Sequence, residues 1–132
     1  MKRNIMFLLL LLPGVLTGCN AAISMNGKVM GVSSGQFIYQ DGNLISNYKA
    51  NIDAVWKACE ETVKELKGKD IRMERKISTG KITAIIQDEK VSISVEYIDK
   101  DSTSVAVFVG VTGNNMASRL IHEKIANKLV NP

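Results

Sequence analysis

Between Ile71 and Val111, apolar side chains recur at every second position in four successive segments, separated only by short polar stretches. Ile71, Met73 and Ile77 mark the first segment (71–77), and Ile82, Ala84 and Ile86 the second (81–87). Val91, Ile93, Val95 and Tyr97 mark the third (91–98), and Val105, Val107, Val109 and Val111 the fourth (103–111). A period of two puts successive side chains on opposite faces of a strand, so each segment has one face to bury and one to leave wet. The connections Ser78-Thr79-Gly80, Asp88-Glu89-Lys90 and Asp99 to Ser102 are too short for crossover helices, which predicts an antiparallel meander.

The flanking segments say what covers that meander. Phe37, Tyr39, Leu44, Ser46 and Tyr48 alternate with Ile38, Gln40, Ile45 and Asn47 around Asp41-Gly42-Asn43, which reads as a hairpin whose aromatic face is buried against a helix. A helix follows, with Asn51 as N-cap, Asp53 in its first turn and Gly68 past its end. Its apolar stripe is Ile52, Val55, Trp56, Cys59, Val63 and Leu66. After the meander, Gly113-Asn114-Asn115 ends the last strand and supplies a cap for a second helix, striped by Ala117, Leu120, Ile121, Ile125 and Leu129. The predicted fold class is α+β, a two-layer sandwich in which a hairpin and a four-strand meander are packed by two amphipathic helices, in the order ββαββββα.

The amino terminus predicts an address. Lys2 and Arg3 precede an unbroken apolar run from Ile5 to Leu12, and Pro13-Gly14 follows it. That run is shorter than the roughly 20 residues a spanning helix needs and has the proportions of a secretory signal. Leu16-Thr17-Gly18-Cys19 closes it and resembles a lipobox, which implies cleavage between Gly18 and Cys19 and attachment of acyl chains, palmitate among them, to Cys19. Two or more chains hold a protein on a membrane where one binds reversibly. The same resemblance implies that an aspartate after the cysteine marks inner-membrane retention, so Asn20 there favours the periplasmic face of the outer membrane. Residues 1–18 are then a signal peptide, 19–34 a small, polar lipidated tether, and 35–132 one domain.

Removing residues 1–18 from the 132 leaves 114, enough for a single modest core. Two of the seventeen basic residues leave with the signal and none of the thirteen acidic ones, so the mature net charge is +2. Neither that charge nor an exported location suits a nucleic-acid partner. With Cys19 lipidated, Cys59 is the only thiol left, and its place on a helix stripe predicts burial rather than reactivity.

Candidates for chemistry are few. Ser118 and His122 lie four apart on the last helix, as a nucleophile and base could, yet there is no nucleophile elbow and no orienting acid, so a hydrogen bond at the helix surface or boundary is the expectation and a Ser/His hydrolase the weakest reading. One histidine and a helical cysteine give no metal-ligand spacing, and Asp99, Asp101 and Ser102 read as a solvated turn, so neither metal nor cofactor is expected. Trp56 with Phe37, Tyr39 and Tyr48 could line an apolar pocket, although so few aromatics read first as core. The one local charge imbalance runs from Lys64 to Lys81, and within it Arg72, Arg75 and Lys76 are the candidate contacts for an anionic ligand.

Gly35-x-Phe37-x-Tyr39-x-x-Gly42-x-Leu44, Trp56, Gly80-x-Ile82-x-Ala84, Val109-Gly110-x-x-Gly113 and Ser118-x-x-Ile121-x-x-x-Ile125, in this order behind a lipobox, resemble a family of short Gram-negative lipoproteins of unknown function. Asn114-Asn115 departs from that pattern, which is more often acidic there. The resemblance implies one α+β domain and an envelope address, and it carries no activity. The expectation is a non-enzymatic, membrane-anchored adaptor or accessory subunit with an envelope protein partner. The alternative is a module that binds lipid or lipopolysaccharide through the basic strand region.

Overall fold

The computed structural model describes residues 37–132, and the signal, lipobox and tether expectations lie outside them. The order is β1 (Ile38–Gln40), β2 (Asn43–Tyr48), α1 (Ile52–Glu65), β3 (Lys69–Arg75), β4 (Thr79–Ile86), β5 (Glu89–Asp99), β6 (Ser102–Val109) and α2 (Asn115–Val130). This is the ββαββββα α+β fold, an open six-stranded antiparallel sheet with strand order β1-β2-β6-β5-β4-β3. The hairpin therefore pairs with the last strand of the meander rather than the first, and α1 carries the chain across the sheet from β2 to the far edge.

Turn chemistry sets the register. Asp41 and Gly42 both take positive φ (53° and 83°), the geometry that a two-residue hairpin loop matched to strand twist requires. Gln87 and Asp88 do the same at 51° and 65° without a glycine, so β5 begins at Glu89, paired with Ile86, and the expected three-residue connection is two residues long. Thr79 and Gly80, expected in a loop, are the first residues of β4. Helix α1 starts at Asn51, whose side chain accepts from the Ala54 amide at 2.8 Å. It ends with Gly68 N–H donating to Val63 O and Lys67 N–H to Lys64 O, both at 3.0 Å. The left-handed residue of this cap is Lys67 (φ 59°) rather than Gly68.

The core lies between the helices and one face of the sheet. Leu44 and Tyr48 from β2, Ile82, Ala84 and Ile86 from β4, Val91, Ile93 and Val95 from β5, and Val105, Val107 and Val109 from β6 meet Ile52, Val55, Ala58, Cys59 and Val63 of α1 and Ile121 and Ile125 of α2. The expected alternation holds at the centre of the sheet and fails at its margins. Ile71 and Met73 are exposed because α1 packs over β4, β5 and β6 and stops short of edge strand β3. That strand also begins and ends two residues earlier than expected, leaving Ile77 in the β3–β4 turn at 92% exposure. Tyr97 and Val111 likewise lie past the ends of the covered area.

The inward stripe of α2 differs most from expectation. Leu120 is exposed, while Ser118 and His122 are buried beside Ile121 and Ile125. Positions 118, 121, 122, 125 and 129 share the face toward the sheet, and two of them are polar. Of the expected stripe, Ala117, Ile121, Ile125 and Leu129 do pack against the core, and a count of apolar residues alone errs by including Leu120 and leaving out Ser118 and His122.

Candidate functional site

The polar groups buried under α2 form one hydrogen-bonded cluster. His122 is 1% exposed; its Nε2 lies 2.8 Å from Leu44 O and its Nδ1 2.7 Å from the Tyr48 hydroxyl. A carbonyl only accepts, so Nε2 carries the proton, and the bare Nδ1 accepts from Tyr48. The same hydroxyl lies 3.1 Å from His122 O, a second acceptor for its single proton. Burial pushes the His122 imidazole down to about 4, against the opposing pull of its bond to Leu44. Burial likewise pushes the Tyr48 phenol and the Cys59 thiol up, so neither ionises in the physiological range. Phe37 meets the His122 ring edge-on at 5.2 Å, and the Arg119 guanidinium caps Phe37 at 4.8 Å.

Ser118 and His122 are not a surface pair. Ser118 Oγ donates to Val107 O at 3.3 Å, so each of the two side chains is held by a main-chain carbonyl of a different strand. Neither reaches solvent, and the arrangement secures α2 to β2 and β6. Thr62 and Thr103 are satisfied in the same way, on Ala58 O and Ala50 O at 2.8 Å. Among the described residues, Ser46 Oγ is the buried side-chain polar atom without a partner, and no three His, Cys, Asp or Glu side chains approach as metal ligands would. No described helix is long and apolar enough to cross a membrane.

The four aromatics grouped from sequence do not form one cluster. Tyr48 and Phe37 flank His122, and Tyr39 is half exposed near Gly113, whereas Trp56 lies over Gly80. A Cβ at Gly80 would come within 2.5 Å of the indole, so the glycine in the 80–84 pattern makes room for the tryptophan of α1. Gly42 and Gly113 are in similar contact through their backbones.

The three basic candidates also separate. Arg75, opposite Gly80 on the helix side, bonds Asp53 at 2.6 Å, donates to the carbonyls of Lys76 and Ile77, and lies 5.9 Å over the Trp56 ring. Arg72 faces the other way, opposite Thr83 on the side of the sheet that neither described helix covers. Lys76 lies beyond the strand and borders a shallow depression on that same side. Lys81, the last residue of the basic segment, and Lys90, which lies outside it, join Arg72 around Thr83 and Ser92. The signal that could have found them is parity, since Lys81, Thr83 and Ser92 alternate with buried Ile82, Ala84 and Ile93.

An apolar concavity lies elsewhere. A groove of about 320 Å³ runs between the end of α1, the β4–β5 turn and the first half of α2, lined by Leu66, Ile86, Val91, Val109, Leu120 and Ile121. Leu120 is 56% exposed on its rim, and Met116, one helical turn earlier on the same face, is 76% exposed. Glu65 sits near this groove, bound by Lys124 at 3.0 Å and by Lys128, and the two ammonium groups hold its carboxyl below the usual range.

No curated protein matches the chain. A family model described as a protein of unknown function, DUF3568, matches residues 3–128, nearly the full length, and the chain belongs to that family.

Proposed function

We propose that the protein is a non-enzymatic lipoprotein, anchored through Cys19 to the periplasmic face of the outer membrane, that docks an envelope protein partner in the groove beside α2. The observation that carries this reading is the exposed Leu120 at the rim of an apolar groove, with exposed Met116 one helical turn earlier, on a helix whose polar inward groups are all engaged with the sheet. Such a groove receives a row of apolar side chains from a partner, in the manner of a helix laid into a cleft. A second reading, a site for lipid or lipopolysaccharide headgroups, is favoured by the gathering of Arg72, Lys81 and Lys90 on the sheet face that neither described helix covers.

A photo-crosslinking residue placed in living cells at position 120, at position 83, or at the exposed α1 position 57 separates these readings. Docking predicts one discrete protein adduct from position 120, none from position 57, and loss of an adduct formed at position 116 when Leu120→Asp is introduced. An adduct confined to position 83 and containing lipopolysaccharide favours the headgroup reading. Adducts from none of the three positions contradict both.

A further inference from the structure

Exposed apolar side chains gather at the end of the sheet opposite the groove. Ile77 in the β3–β4 turn is 92% exposed, and Tyr97 and Ile98 at the end of β5 are 45% and 46% exposed. The two turns are tied together, because Tyr97 N–H donates to Ser78 O at 2.8 Å. Lys76 and Lys100 flank the apolar trio, and Asp99 and Asp101 share the same end, with Asp99 Oδ1 accepting from the Asp101 amide at 2.8 Å. The charges are therefore mixed, and the end offers apolar area beside a tyrosine, the composition that partitions into the headgroup layer of a bilayer; the groove end also exposes Tyr39 and Val111, so the direction of the chain decides between the two.

The direction of the chain is an independent observation. β1 runs from Ile38 toward the Asp41-Gly42 turn, which lies against Phe108, Thr112 and Gly113 at the groove end. The chain therefore enters the described domain heading away from the turns that carry Ile77 and Ile98. Cys19 stands only residues 20–36 upstream of Phe37.

We infer that the sheet stands end-on to the bilayer, with Ile77, Tyr97 and Ile98 resting in its interfacial layer and the α2 groove turned toward the periplasm. The inference rests on the lipid-anchored reading. β5 has eleven residues, which at about 3.3 Å each separates the two ends by roughly 30 Å. A partner docked in the groove is thus held clear of the headgroups. Because the contact is apolar and its flanking charges are mixed, it is insensitive to salt, unlike a contact made through Arg72, Lys81 and Lys90.

The test uses the full lipidated protein in phosphatidylethanolamine–phosphatidylglycerol vesicles, with single cysteines at Ile77, Ile98 or Val111 labelled by an environment-sensitive dye. Cys59 is fully buried and does not compete for label. Val111, 94% exposed and beyond the groove end of β6, is the control. Dyes at 77 and 98 are expected to shift to the blue and to be quenched by spin-labelled lipid several-fold more strongly than the dye at 111, equally at low and high salt. Vesicle flotation and the intact mass are read on the same samples. Acylated protein that floats with equal quenching at all three positions overturns the orientation alone, and protein that carries no acyl chain and does not float overturns the anchored reading and the orientation together.

Discussion

Replacement of His122 by alanine lowers the unfolding free energy by about 3–5 kcal/mol and removes most of the acid sensitivity of the fold between pH 6.5 and pH 4. The first figure combines a cavity left under α2 with a buried Leu44 carbonyl stripped of its donor, each a loss of a few kcal/mol. The second follows from linkage. An unfolded histidine titrates near 6.5 and the folded one near 4, so below 6.5 the unfolded chain binds a proton that the native chain refuses. The stability this group contributes is complete above pH 6.5 and declines as pH falls toward 4, by roughly 3 kcal/mol over the interval. Denaturant unfolding at a series of pH values measures both effects. Tyr48→Phe tests the same cluster more gently: it removes the donor to Nδ1 while keeping the ring, and is expected to cost about 1–2 kcal/mol. A slope between pH 4 and 6.5 unchanged in the alanine variant would contradict the assignment of His122 as buried and neutral.

Gly113→Ala is expected to cost about 3 kcal/mol, enough to lower the midpoint of thermal unfolding by roughly 10–20 °C in a domain of this size. Gly113 has φ 102°, a region side chains avoid, and its Cβ would fall 2.5 Å from Gly42 Cα and 2.6 Å from Gly42 O. Both obstacles are backbone, so neither can swing aside. Gly110→Ala is the control, because at φ 86° it bears similar backbone strain but its Cβ meets only the flexible Glu89 carboxylate. A cost near 1 kcal/mol is expected there. Equal costs at the two glycines would show that backbone conformation alone, and not the approach of the β1–β2 turn to the β6–α2 loop, explains the requirement.

The fold was legible in this sequence where one physical signal acted alone. Alternation specified β4, β5 and β6, because their buried face is aliphatic apart from Gly80 and Thr103, and Asp41-Gly42-Asn43 marked the first hairpin because few other residues accept its turn geometry. The reading failed where signals competed. Ile71 and Met73 alternate as a core strand does, yet their exposure depends on how far α1 reaches across the sheet, a tertiary quantity. Most of the α2 stripe is legible, but the burial of Ser118 and His122 is not, because carbonyls of β6 and β2 admit them to the core and local periodicity carries no record of a partner on another strand. The separation of Arg72 from Arg75 follows from strand parity, whereas the pairing of Arg75 with Asp53 required the placement of α1. The glycines at 42, 80 and 113, visible as a pattern, have steric causes at two points of close approach.

The proposed docking at the α2 groove and the inferred end-on contact with the bilayer both rest on the proposal that Cys19 carries acyl chains. The most direct measurement is the intact mass of the protein extracted from membranes, compared with that of a Cys19→Ser variant. The account predicts a mature chain that begins at Cys19 and carries the mass of a diacylglyceryl group and an amide-linked acyl chain, with the serine variant uncleaved and unacylated. A wild-type chain that retains residues 1–18, or one that begins at an unmodified Cys19, would contradict it.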